Sequence, residues 1–377
     1  MSGPSPTEST AAPRVTGSCY AYFAYDIGLS VDLDRAATLV REATRRQQLP
    51  VQRRRGASWL AYEPPPLRIT LKPGAVPVGR WETDPAIECT VFDFGGISIR
   101  YRIPVDDALD ALPRLSDSLY ENWSLLDDSR RRVEEICRAI AAAIGQHAVA
   151  PLVEDYVVFS VERWHGGGSI DDLVTAHAQE LAQILSAETG PISAQQARDL
   201  VDSRVSFGGS DAVLASWASA IVFDDEPADV LTVLEHVNVE LAEMRLLDRT
   251  LDELLEKAYA LLQRRARRSL WPKAPGRVGL RSIAVTQMDA AMLFESVNNA
   301  IKLVGDQFLA RVYNLAASRV HLSEWDAAIL RKLDTAESIY QKLSQHETGR
   351  RMEILEIIIV VLIAVSIVMT FVPGGGH

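Results

Sequence analysis

Residues Ile357–Val372, "IIIVVLIAVSIVMTFV", carry no charge, and Ser366 and Thr370 are their only polar side chains. Counting back to Ile354 and accepting Glu356 gives about nineteen residues, or roughly 28 Å of helix, close to the ~30 Å hydrocarbon core of a bilayer. A helix buried in a soluble core usually keeps a polar stripe, and this run has none on any face. Residues 353–372 are therefore expected to form one C-terminal transmembrane helix, a tail anchor inserted after synthesis. Arg350 and Arg351 precede the run and only His377 is basic beyond it, so the positive-inside rule places the bulk of the chain on the cytoplasmic face. Glu353 and Glu356 fall at the start of the span, where they reach the headgroups or Arg350 and Arg351.

The 377 residues carry a net charge of −11, which argues against a protein whose main task is coating nucleic acid. The length suggests two or three structural units. Cys19, Cys89 and Cys137 are odd in number and far apart. They make no disulfide framework and no zinc knuckle, and they fit a reducing compartment. The stretch "MSGPSPTESTAAPRVTG" has neither an apolar signal region nor an arginine-rich amphipathic helix, so residues 1–17 read as a disordered lead.

Residues 18–226 read as an α+β domain with a mainly antiparallel sheet. "SCYAYFAYDIG" is an aromatic strand, and "DLDRAATLVREATRRQ" is an amphipathic helix. "ASWLAYE", "LRITLKPG", "ECTVFDFGG" and "ISIRYRIP" alternate apolar and polar residues between glycines and prolines, as antiparallel strands do. A helical section over about 105–148 leads to the strand "VEDYVVFSVERW". "SIDDLVTAHAQELAQILSAE" is expected to be one helix opened by a capping box of Ser169 and Asp172. "AVLASWASAIVFDD" closes the set as a single strand.

Beyond Pro227 the pattern is helical, and residues 227–349 are expected to form a helical hairpin or coiled-coil stalk. Apolar residues at 230, 234, 237, 241 and 244, then at 247, 251, 254, 258 and 261, follow steps of four and three. After the break at "RRARRSLWPKAPGRVG", a second seam joins Phe294, Val297, Ile301, Val304, Phe308, Val312 and Leu315. Ser323 with Asp326 marks a fresh cap and a break near His321, and a third seam runs through Trp325, Ile329, Leu333, Ala336, Tyr340 and Leu343. Seams of this length fit packing within one chain or a homo-oligomer through the stalk.

No catalytic, cofactor-binding or metal-ligating residues emerge. "WHGGGS" contains oxyanion-hole-like glycines beside His165, but no G-x-S-x-G accompanies it, and a loop before a helix cap explains it. No phosphate-cradling glycine motif is present. His177 on an amphipathic helix reads as a core or boundary residue. Three basic clusters remain: Arg53–Arg55, Arg130–Arg132, and Arg264, Arg265, Arg267 and Arg268. The last exceeds what a helix dipole needs at its C-terminus and suits a protein, ribosome or RNA partner or anionic lipid headgroups.

The aromatic strand, "DYVVFSVERW" before "DLVTAHAQELAQIL", the helical stretch and "RRMEILEIIIVVLIAV" together resemble the family named for a protein required for meiotic nuclear division. That resemblance implies a domain of unknown function on a tail anchor. Its eukaryotic members include mitochondrial inner-membrane proteins that support organellar translation by tethering ribosomes. The alanine, arginine and aspartate usage here fits a bacterium instead. The sequence thus leads to a non-enzymatic scaffold or tether on the inner membrane, with no cofactor and no small-molecule substrate. The alternatives are a membrane-associated RNA- or ribosome-binding factor and a membrane-bound enzyme using the loop near His165.

Overall fold

The computed structural model describes residues 12–47, 61–62, 64–165, 168–209, 211–266, 277–299, 301–302 and 307–342. They form a mixed α+β structure around an eight-stranded sheet. In chain order its strands are β1 (Arg14–Asp26), β2 (Leu67–Leu71), β3 (Ile87–Val91), β4 (Gly96–Ala108), β5 (Glu154–His165), β6 (Arg204–Val205), β7 (Ala212–Ala215) and β8 (Ser219–Phe223). Their spatial order is β6-β7-β8-β5-β1-β4-β3-β2, antiparallel throughout except for β5 beside β8. The parallel pair requires a crossover, which helices α4 (Ile170–Ala176), α5 (Ala178–Ser186) and α6 (Ala194–Asp202) supply.

The two faces of the sheet differ in chemistry because strand side chains alternate. Cys19, Ala21, Phe23 and Tyr25 of β1, Ile97, Ile99, Tyr101 and Ile103 of β4, and Val157 and Phe159 of β5 enter one apolar core. Helices α1 (Leu33–Gln47), α2 (Leu112–Leu119) and α3 (Trp123–Ile140) contribute Ala36, Leu115, Leu119, Val133 and Ile140 to that core. Burying each large side chain contributes about 1.5–3 kcal/mol.

The intervening residues make the opposite face polar: Ser18, Tyr22 and Asp26, Ser98 and Arg100, Glu154 and Ser160. This face is closed by helix α7 (Ala228–Ala266), which is buried all round from Val233 to Glu240. Hence Glu235, His236, Asn238, Glu240 and Glu243 are buried although they are polar. Asn238 Nδ2 donates to the Glu154 carbonyl at 3.2 Å, and the His236 ring lies 6.2 Å from that of Phe92. Asp26 and Glu243 face one another. No described protein donor reaches the Glu243 oxygens, and burial with the facing Asp26 holds its carboxyl well above the usual range. Burial likewise lifts Asp26 to about 7. Gly28 (φ +149°) and Gly95 (φ +105°) let the β3–β4 turn approach the end of β1, where a Cβ on Gly95 would fall 1.8 Å from the Gly28 carbonyl oxygen.

The chain divides into two compact units. One takes the described residues up to Leu246 together with Leu293–Asp326, and the other takes Leu247–Met292 with residues from Ala327 onward. Helix α7 belongs to both, so compactness does not change at Pro227, where the sequence pattern does. In the first unit, helix α9 (Gln307–Arg319) buries Leu309, Val312 and Ala316. In the second, helix α8 (Arg277–Asn299) begins and a helix over 322–342 ends the described chain. Within that unit Lys332 Nζ pairs with Asp248 at 2.6 Å and Asp252 at 2.7 Å.

Several sequence expectations need correction. Residues 14–17, expected in a disordered lead, belong to β1, which begins at Arg14. The proposed seam from Phe294 to Leu315 is not one helix: Ile301–Lys302 pairs with Ala61–Tyr62 between α8 and α9. The helix opened by Ser169 is two, broken at His177. "AVLASWASAIVFDD" is a hairpin, β7–β8, and not one strand. The capping box of Ser169 and Asp172 is present, and the break near His321 is a turn in which His321 takes φ +58°. The expected span at 353–372 lies outside the described residues. Among the described residues no helix is long and apolar enough to cross a membrane.

Candidate functional site

A cleft of about 390 Å³ opens in the first unit, where the N-terminal end of β5, the α2–α3 turn and the β7–β8 turn meet α7 and the end of α9. The α2–α3 turn is made by Glu121 in the left-handed region (φ +48°) after an extended Tyr120. Asn122 then caps α3, accepting from the Leu125 N–H at 3.0 Å and donating Nδ2 to the Ser118 carbonyl at 2.7 Å. Tyr120 and Glu121 are thereby fixed at the rim.

The β7–β8 turn closes with the Ser216 N–H donating to the Ser219 carbonyl at 2.8 Å. The Tyr156 hydroxyl donates to the Ser216 carbonyl at 3.0 Å, and the Ser219 hydroxyl donates to the Ile184 carbonyl at 3.1 Å. Trp217 stands at the tip of this anchored turn, 57% exposed, with its ring perpendicular to that of Tyr120 (45% exposed) at 6.1 Å. Two rigid turns thus present two aromatic faces.

The charges lining the cleft are unevenly paired. Glu154 is buried and ion-paired with Arg245; burial raises its carboxyl and Arg245 partly offsets this. Asp155, open at the rim, has its carboxyl pushed up by desolvation and by the neighbouring Glu121. Arg319 lines the cleft from α9, and its buried Nε and Nη2 have no hydrogen-bond partner among the described residues. Among those residues no cluster of three or more His, Cys, Asp or Glu is arranged to hold a metal. The arrangement is suited to holding a charged or aromatic group rather than to a named reaction.

The residues singled out in the sequence lie elsewhere. Arg130–Arg132 are engaged within the fold: Arg130 donates to the Ala150 carbonyl at 2.6 Å, Arg131 and Arg132 pair with Asp128, and Arg132 also pairs with Glu135. His165 is exposed at the end of β5, opposite Arg14, and its ring makes no hydrogen bond to a described residue. His177 is half-buried at the α4–α5 junction, 3.6 Å from Glu180. Arg264 and Arg265 fall in the last turn of α7, while Arg267, Arg268 and Arg53–Arg55 lie outside the described residues. Tyr120, Glu121, Asp155 and Trp217 escaped sequence reading. The signal available was the Ser-Trp-Ala-Ser interruption of an apolar run, which is a turn around an aromatic residue.

Fold and cleft define an α+β protein whose largely antiparallel sheet carries a small aromatic-rimmed pocket at one edge of its α7-covered face. The chain belongs to the family described as "Uncharacterized protein MJ0711, N-terminal domain", whose model matches residues 16–229. It is 22% identical over 242 residues to the protein MJ0711 of Methanocaldococcus jannaschii, an alignment covering 63% of this chain and 71% of the relative. No solved structure matches. These matches overturn the resemblance to the meiotic nuclear division family, which rested on the order of elements and the apolar run and not on a shared motif. The matched span contains the sheet and the Tyr120 and Trp217 turns. It stops two residues into α7, so Asn238, Arg245 and Arg319 of the cleft lie beyond it.

Proposed function

We propose that this protein is a non-enzymatic scaffold, anchored to the inner membrane by the apolar run 357–372 and holding a protein partner in the Tyr120–Trp217 cleft on the cytoplasmic side. One observation carries the reading. A single uninterrupted helix, α7, provides both Asn238 and Arg245 of the cleft and the Asp248 and Asp252 that hold Lys332. The helix containing Lys332 leads in sequence to Arg350, Arg351 and the apolar run. Self-association through the second unit belongs to the same proposal.

Membrane fractionation tests it. Full-length protein is expected to stay in the pellet through carbonate washing, and a form ending at residue 349 to become soluble. Crosslinking in membranes should then yield a partner that is lost on Trp217→Ala. Full-length protein that washes off with carbonate would remove the anchor.

A second reading keeps the anchor and makes the partner RNA or the ribosome. It is favoured by Arg264, Arg265, Arg267 and Arg268, because the cluster at Arg130–Arg132 is already engaged in internal pairs. Changing the four arginines to glutamine should then abolish salt-sensitive RNA co-purification and leave membrane insertion intact.

A further inference from the structure

Two large aromatic side chains held open on anchored turns call for an occupant, because an exposed apolar surface rimmed by polar groups is the usual mark of a recognition site. Trp217 and Tyr120 offer perpendicular ring faces at the mouth of the cleft. Glu121 and Asp155 stand at the same mouth, close enough that the Glu121 charge acts on Asp155, and neither forms an ion pair among the described residues, while the unpaired Arg319 guanidinium lines the cleft from α9. Arg245, by contrast, is already neutralised by Glu154. We infer that the mouth of the cleft receives a lysine or arginine side chain of a protein partner, its stem against the outer faces of the edge-to-face Tyr120–Trp217 pair and its charge on Glu121 and Asp155.

The chemistry is that of a cation over aromatic faces, completed by carboxylates. The Glu121 backbone explains why the arrangement is ready-made: its left-handed conformation and the Asn122 cap fix the carboxylate's origin before any ligand arrives. The mouth is built from turn tips, so a captured group enters end-on and leaves its own backbone outside. That geometry fits a side chain better than a whole small molecule. The inference rests on the reading of the protein as a binding scaffold and names the chemistry of its partner.

Isothermal titration of full-length protein in detergent micelles tests it, using the N-acetyl methylamides of arginine, lysine, citrulline and glutamate as probes. Saturable binding of the arginine or lysine compound is expected, with citrulline, which keeps the shape and lacks the charge, at least tenfold weaker. Trp217→Ala and the double change Glu121→Gln with Asp155→Asn should each weaken binding at least fivefold while thermal melting stays unchanged. Equal binding of citrulline, undiminished binding by the double variant, or no binding of either cation would overturn the inference. So would preferred binding of the glutamate compound that is lost on Arg319→Gln, since that makes the cleft an anion site. Carbonate extraction reads the anchor independently, so failure of the pocket chemistry and failure of the membrane reading remain distinct.

Discussion

The Tyr313 hydroxyl donates to both carboxylate oxygens of Glu240, at 2.8 Å to Oε2 and 3.0 Å to Oε1. Glu240 is buried on α7, and burial lifts its carboxyl to about 7 despite this bond. Tyr313→Phe removes the donor and leaves a buried carboxylate short of a partner, which costs about 1–3 kcal/mol. Urea denaturation should show that loss at pH 8 and a smaller one at pH 5, where Glu240 carries its own proton. Equal losses at both values would mean that the tyrosine matters only through packing.

The buried acids give the fold an acid-leaning stability. Asp26 is raised from 3.8 to about 7, Glu240 from 4.5 to about 7, and Glu243 well upward, in each case through burial first. Between about pH 4 and 7 the folded chain therefore holds protons that the unfolded chain has released, and stability falls as pH rises. His236 works the other way. Burial lowers it to about 3, so below about 6.5 the unfolded chain binds a proton that the folded chain refuses. Three raised carboxyls outweigh one depressed imidazole, and the urea midpoint should be higher at pH 5 than at pH 8. Asp26→Asn should recover on the order of 1–2 kcal/mol at pH 8 and flatten the profile. A midpoint that climbs towards pH 8 would contradict this assignment.

Val237 is 3% exposed on α7, and Tyr259 on the same helix is 53% exposed. Val237→Asp places an unpaired carboxylate among buried side chains and should cost more than about 3 kcal/mol or prevent folding altogether. Tyr259→Asp should stay within about 0.5 kcal/mol. Circular dichroism melts of the two variants compare them directly, and similar midpoints would show that α7 is not buried at Val237.

Lys332 sits between Asp248 and Asp252 at 2.6 and 2.7 Å, partly open to water. Solvent screens such a pair, so Lys332→Met should cost only about 1 kcal/mol. The loss should shrink further in high salt, where surface charge contributes little. A penalty several times larger and insensitive to salt would place the lysine in a drier setting.

The strands β1 to β5 and the first helix were legible because alternation and amphipathic spacing state which side of an element is buried. The capping box at Ser169 was legible for a related reason: it is local, two side chains answering two backbone donors three residues apart. What the sequence concealed was tertiary. Glu235, His236, Asn238, Glu240 and Glu243 look like the solvated side of an amphipathic helix, and they are buried because the sheet they cover is itself polar on that face. Helical spacing cannot show that, since it assumes water opposite the seam. Phe294 to Leu315 fitted one period although Ile301–Lys302 is drawn into pairing with Ala61–Tyr62, a contact between residues far apart in sequence. The cleft was hidden for the same reason, with Tyr120, Asp155, Trp217 and Arg319 coming from four separate elements.

The bond from Tyr313 to Glu240 also bears on the order in which the chain folds. The unit containing both residues takes its described chain up to Leu246 and then Leu293–Asp326, so it is discontinuous in sequence. During synthesis α7 leaves the ribosome with Glu240 uncovered, and its partner follows only after Leu247–Met292 has been made. Such separated contacts slow folding and leave an interval in which the sheet unit is incomplete. A nascent chain stalled before Tyr313 should be cut readily by protease around α7, and one stalled after residue 342 has emerged should be protected there.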